Sequence, residues 1–173
     1  MSFALPERGA PWSDIEPRMR ELAKGDVKWR DGRTGMYIFN AGPEVEHVQK
    51  TAYAMFASEN GLGPAAFPSL AQMEREVVAA GLSLLNAPPG AAGVMSSGGT
   101  DSIFLAVKTA RDHARAKRGL NSGLNIVAPS SVHPAFDKAC MVMDIEMRRI
   151  PVKGYLADPA AMEAAIDANT LML

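Results

Sequence analysis

The chain has 173 residues, 47% apolar and 21% charged, with a formal net charge of −1. That is the profile of a globular protein with enough length for one sizeable core, and it gives no electrostatic drive toward nucleic acid or an anionic membrane. One cysteine, Cys140, excludes an internal disulfide, and the scattered His47, His113 and His133 argue against a zinc site.

The N-terminal stretch MSFALPERGAPWSD lacks the charged lead and long apolar run of a signal peptide. No window reaches the roughly 18 apolar residues of a membrane span. The expectation is a cytoplasmic protein. The last residues, DANTLML, stop inside an apolar run, so the chain is expected to be the front portion of a longer one.

In chain order, Ser13-Asp14-Ile15-Glu16 reads as a capping box opening a short exposed helix that ends at Gly25. The glycine-rich KWRDGRTGMYIFNAGPE predicts loop, with a brief strand at 36–39. Val45, Val48, Ala52 and Met55 recur at helical spacing and predict a helix over 44–59. NGLGPAAFP breaks the chain, with Phe67 and Leu70 as core anchors and Asn60 as either a helix C-cap or a binding group. A helix over 69–86 follows, with Leu70, Met73, Val77 and Leu84 on one face.

From there strands and helices alternate. A short apolar lead at 93–95 precedes a helix over 101–118, and a strand at 125–128 precedes a helix over 134–143. A strand at 147–152 leads to Asp158-Pro159, a helix cap followed by a proline at the first helical position, and a last strand begins at 170. This alternation predicts an α/β domain with a mostly parallel sheet and flanking helices. Residues 1–60 are expected to form a helical and loop segment, and residues 61–173 the first part of the α/β domain.

Two stretches have the chemistry of a binding site. Ser97-Gly98-Gly99-Thr100 enters a helix, whose N-terminus exposes unpaired N–H groups and the positive end of the dipole. Glycines there allow an anion close to the backbone, and Thr100 adds a hydroxyl. The spacing matches neither a Walker loop nor a dinucleotide fingerprint, and a tight turn capped by Thr100 or Asp101 remains the alternative. The second stretch, APSSVHPAFDKAC, follows a predicted strand, where open α/β sheets collect ligands. His133 there either presents a flat ring to a ligand or caps the next helix. Lys138, beside Asp137, reads as a solvated or ion-paired lysine rather than a nucleophile.

Taken together, FPSLAQMEREVVAAGLSLL, GVMSSGGTDSIFLAVKTARDHAR and SVHPAFDKAC resemble, in order and spacing, the pyridoxal-phosphate-dependent group II decarboxylase family, and most of all its sphingosine-1-phosphate lyase branch. The resemblance covers about residues 32–173. It implies the large domain of a fold type I (PLP-dependent transferase-like) enzyme, incomplete at the C-terminus, and a homodimer with active sites at the subunit interface. The implied cofactor is pyridoxal 5′-phosphate, held at its phosphate by Ser97, Gly98, Gly99 and Thr100 and stacked by His133. Asn60 and Tyr37 are the implied substrate-binding residues. Neither the Schiff-base lysine nor the aspartate that pairs with the pyridine nitrogen falls within the chain, and Lys138 is not that lysine.

The implied reaction is a retro-aldol cleavage of a small-molecule amine of the amino-alcohol type, giving an aldehyde and phosphoethanolamine, with this chain alone inactive. One position departs from the pattern. In Asn60-Gly61-Leu62-Gly63-Pro64, Gly63 stands where the branch carries a histidine, which removes a potential cation for the substrate's phosphate. An amino-acid decarboxylase on the same scaffold, and a non-catalytic module that binds phosphorylated ligands, are the alternatives.

Overall fold

The computed structural model describes residues 6–35 and 38–173. These divide into two compact units, Met1–Leu70 and Ala71–Leu173.

In the first unit, α1 (Trp12–Leu22) starts with Pro11 at its N-cap. The expected capping box does not form: Ser13 lies inside the helix and its hydroxyl bonds the adjacent Asp14 at 3.3 Å. Proline at the cap presets an extended φ, so the helix begins before the serine can take the capping position. α2 (Pro43–Met55) starts at a proline that follows Gly42, and it ends four residues short of the expected boundary. Asn60 is therefore no cap for it. Met36 and Tyr37 lie outside the described residues, and Ile38 and Phe39 form no strand. Phe67 and Leu70 are half-buried.

α3 (Pro68–Leu84) leads toward the second unit. The apolar lead at 93–95 is irregular rather than a strand, with Val94 70% exposed. A strand requires a neighbour's backbone groups, and here the Met95 N–H donates instead to Glu74 of α3 at 3.3 Å. Gly93 passes so close to α3 that an added Cβ would stand 2.9 Å from Val78.

α4 (Gly99–Arg118) is ended by Gly119 at φ +67°, a left-handed cap that suits glycine, with Arg115, Lys117 and Arg118 at the negative end of its dipole. Next come β1 (Asn125–Pro129), α5 (Ala135–Met143), β2 (Glu146–Ile150), α6 (Pro159–Ala164) and β3 (Thr170–Met172). Asp158 caps α6 by accepting from the Ala161 N–H at 3.2 Å, with Pro159 first in the helix. The strands order as β2-β1-β3, and both pairs are parallel. No helix among the described residues is long and apolar enough to cross a membrane.

The central strand is buried on both faces from Asn125 to Ala128, and its side chains alternate between them. Ile126 and Ala128 enter a core with Val107 of α4, Ala139, Cys140 and Met143 of α5, and Leu124 and Ile145 beside the strands. Fully burying a residue such as Ile126 stabilises by about 1.5–3 kcal/mol. Cys140 belongs to this core, and burial, with Asp137 nearby, pushes its thiol up to about 11. It is a packing residue with no nucleophilic thiolate at neutral pH.

Asn125 is fully buried and polar. Its Nδ2 donates to Asp167 at 2.9 Å, and its Oδ1 accepts from the Thr170 hydroxyl at 2.8 Å. The Asp167 carboxylate also pairs with Arg148 of β2 at 2.7 Å and accepts from the Asn169 N–H at 2.8 Å. All three strands thus meet in one polar cluster. Hydrogen bonds from Asn125, then from Arg148 and the Asn169 backbone, hold the Asp167 carboxyl down at about 2.

Replacing Asn125 by alanine should cost about 1–3 kcal/mol, since Asp167 and Thr170 then lose their partner, and a urea melt reads this directly. Because the folded pKa of Asp167 is depressed, its contribution is complete above the ordinary carboxylate range and fades as pH falls toward 2. The denaturation midpoint should drop across that acidic window less steeply in Asp167→Asn than in the parent.

Candidate functional site

The turn from Ser96 to Asp101 is fastened on both sides. The Gly98 carbonyl accepts the first helical bond, from the Ser102 N–H at 2.9 Å, and a second from the Ser96 hydroxyl at 3.0 Å. With that proton committed, the Ser102 hydroxyl donates to Ser96 Oγ at 2.6 Å. On the other flank, the Ser97 N–H and its hydroxyl both donate to Asp101 Oδ2, each at 3.1 Å.

What remains open is the row of donors between these fastenings. The N–H groups of Gly98, Gly99, Thr100 and Asp101 have no acceptor among the described residues. Gly98 stands at φ +157°, where side-chain-bearing residues are strained, and a Cβ added at Gly98 or Gly99 would meet nothing within 4 Å. The result is a row of unbonded donors at the positive end of a 20-residue helix.

The turn borders an open cleft of about 480 Å³ between α4 and α5, lined by Ser97, Thr100, Asp101, Phe104, Ala135, Lys138 and Val142. The sequence places Lys138 beside Asp137, but Asp137 is taken by Arg149. Lys138 makes no ion pair among the described residues and lends its side chain to the cleft wall. The sequence signal for this was its position one turn into α5, since Ala135, Lys138 and Val142 recur on one helical face.

His133 sits on the loop after β1, exposed, and does not line that cleft. Its Nδ1 accepts from the Ala135 N–H at 3.1 Å, so the imidazole does cap α5 and carries a ring proton on Nε2. The capping bond uses the ring edge and leaves both faces open. The two readings of His133, cap and ligand platform, are therefore compatible.

Asn60 lies in the other unit, where its Oδ1 accepts from the Leu62 N–H at 3.1 Å, a local turn bond. Three residues after Asn60, the Gly63 carbonyl receives the N–H groups of Ala66 and Phe67 at 2.8 and 3.1 Å.

The glycine turn fits the phosphate of pyridoxal phosphate on three grounds: unbonded N–H groups, the Thr100 hydroxyl at its edge, and space that the two glycines leave clear. Asp101 is the component of this turn that sequence reasoning treated only as a helix cap. Its role in shaping the loop depends on a contact back to Ser97 that spacing alone does not reveal.

No protein-family model matches the chain. Its sequence is 36% identical over 170 residues to sphingosine-1-phosphate lyase 1 of Mus musculus, an alignment that covers 98% of this chain and 30% of the mouse protein. It is 32% identical over 172 residues to a probable L-tyrosine/L-aspartate decarboxylase of Methanocella arvoryzae, covering 98% of this chain and 43% of that protein. Among solved structures, the sphingosine-1-phosphate lyase of Burkholderia pseudomallei superposes with a TM-score of 0.87 at 32% identity, over 98% of this chain and 41% of that one. The parallel sheet with flanking helices is that of the pyridoxal-phosphate-dependent fold type I enzymes. Over nearly its whole length the chain is a homologue of the sphingosine-1-phosphate lyases and of the group II pyridoxal-phosphate-dependent decarboxylases, of whose length it spans less than half.

Proposed function

We propose that this chain is the cofactor-anchoring part of a pyridoxal-phosphate-dependent carbon–carbon lyase that cleaves an amino-alcohol-type amine by a retro-aldol reaction. The observation that carries the reading furthest is the fastened turn with four free N–H groups, in a chain that matches sphingosine-1-phosphate lyases along 98% of its length. Bound pyridoxal phosphate supplies an electron sink for the carbanion left when a bond to carbon breaks.

The residues of this chain do the positioning. The N–H groups of Gly98, Gly99 and Thr100, with the Thr100 hydroxyl, donate to the phosphate. Ser97, whose own donors go to Asp101, holds the loop in shape. His133 lies against the pyridine ring, its plane set by the Ala135 bond and its Nε2–H free to donate. Asn60 and Tyr37 belong with the substrate, and the reacting lysine and the pyridine-nitrogen aspartate are expected outside the chain. The enzyme acts as a homodimer in the cytoplasm, on a small-molecule amine.

One observation favours a second reading on the same scaffold. Gly63 replaces the histidine expected in the substrate loop, and without that cation a phosphorylated sphingoid base loses one anchor. An amino-acid decarboxylase would not need it. Carbon dioxide among the products marks the decarboxylase, and an aldehyde marks the lyase.

Full-length protein incubated with pyridoxal phosphate should gain a visible absorption band, and borohydride should fix the pyridoxyl mass on one lysine outside residues 1–173. A protein that stays colourless at saturating cofactor would refute the reading. Within the turn, Gly98→Ala should weaken cofactor binding at least about tenfold and lower stability by more than about 1 kcal/mol, since it forces a side chain into a strained conformation. Gly99→Ala, inside the helix with open space around it, should leave the melting temperature at or slightly above that of the parent. Equilibrium titration and a thermal melt of both variants check this.

A further inference from the structure

The geometry points to Asp101 as a positioning residue for the phosphate turn, acting as a hydrogen-bond acceptor rather than through its charge. The inference rests on the pyridoxal-phosphate reading above and adds to it a residue that touches neither cofactor nor substrate.

Asp101 presents a paradox. It places a carboxylate in the first turn of α4, on the wall of the same cleft whose open donors suit an anion. A like charge so close to a phosphate is unfavourable. A negative residue at a helix N-terminus ordinarily needs no further reason, because it complements the dipole. The dipole, however, does not require what the carboxylate does here. Both Ser97 donors converge on a single oxygen, Oδ2, each at 3.1 Å. That pair of hydrogen bonds reaches back across Gly98 and Gly99, the two residues with the least intrinsic preference for any conformation.

The carboxylate therefore removes the freedom that the glycines introduce. Ser97 is tied from its own N–H and hydroxyl, while Gly98 is tied through its carbonyl to Ser102 and Ser96. Between the two ties the N–H groups of residues 98–101 stay unbonded. Their arrangement is fixed before a phosphate arrives, so the ordering cost is not charged to binding. Because one oxygen accepts both bonds, an asparagine carbonyl in the same place keeps both hydrogen bonds and removes the charge.

The experiment is a titration of the full-length protein with pyridoxal phosphate, comparing Asp101→Asn and Asp101→Ala with the parent. Asp101→Asn should bind within about twofold of the parent or more tightly, whereas Asp101→Ala should bind about tenfold more weakly, with Ser97→Ala in between because it retains the N–H bond. Hydrogen exchange without cofactor should show a protected Ser97 amide in the parent and in Asp101→Asn, and a fast one in Asp101→Ala. Equal affinities in parent and Asp101→Ala would overturn the inference, and so would an Asp101→Asn variant that weakens as much as Asp101→Ala. A purely dipolar role lowers the melting temperature of both variants alike and leaves their affinities together. If Asp101→Ala does not fold, Ser97→Ala decides, since it removes the hydroxyl bond alone and an affinity equal to the parent's would also overturn the inference. A parent protein that binds no pyridoxal phosphate refutes the cofactor reading itself, and the exchange pattern at Ser97 still reports whether Asp101 shapes the turn.

Discussion

The second unit depends on a polar contact in an otherwise apolar strand. Asn125 is wholly buried at the start of the central strand, and its amide is satisfied by Asp167 and Thr170 from the segment that becomes β3. Asp167 in turn holds Arg148 of β2. A three-residue edge strand has few ladder bonds of its own, so the side-chain cluster fixes where β3 joins. The register is irregular between Asn125 and Ile126, where the cluster sits, and the backbone yields there to keep these side chains paired. Arg118, from the end of α4, donates to the carbonyls of Ala168 and Thr170 and ties that helix to the same segment.

The placement of α4 matters because its other end is the glycine turn that we propose holds the cofactor phosphate. The helix is anchored along its length by Val107 in the core and at its C-terminus by the Arg118 contacts. Its first turn is therefore a rigid surface, and local bonds from Ser96, Ser102 and Asp101 refine it. Rigidity comes from packing and accuracy from short polar contacts. Such a division shapes the turn without consuming the N–H groups of residues 98–101, which we propose receive the phosphate. His133 follows the same logic on the loop after β1, since the bond that caps α5 also orients the ring.

The second half of the chain could be read from sequence because its local signals agree with its tertiary environment. Asp158-Pro159 opens a helix, Gly119 ends one, and the apolar run from Ile126 to Ala128 is the buried strand. Where the reading failed, a competing group had displaced the local signal. Ser13 lost the capping position to Pro11, and the segment at 93–95 found Glu74 rather than a neighbouring strand. In each case the deciding partner is distant in sequence or has a stronger backbone preference.

Sequence alone was sufficient for the alternation of strands and helices, for the glycine turn at a helix entrance, and for the histidine after a strand. These follow from periodicity and backbone preference, which act over a few residues. Only folding brings Asn125 to Asp167 and Arg148, or puts Lys138 on the wall of the cleft that Ser97 and Thr100 border. Those contacts join residues separated by up to 42 positions, and no local propensity encodes them. Even the short reach from Asp101 back to Ser97 depends on the turn having closed, because only then do two donors meet one oxygen.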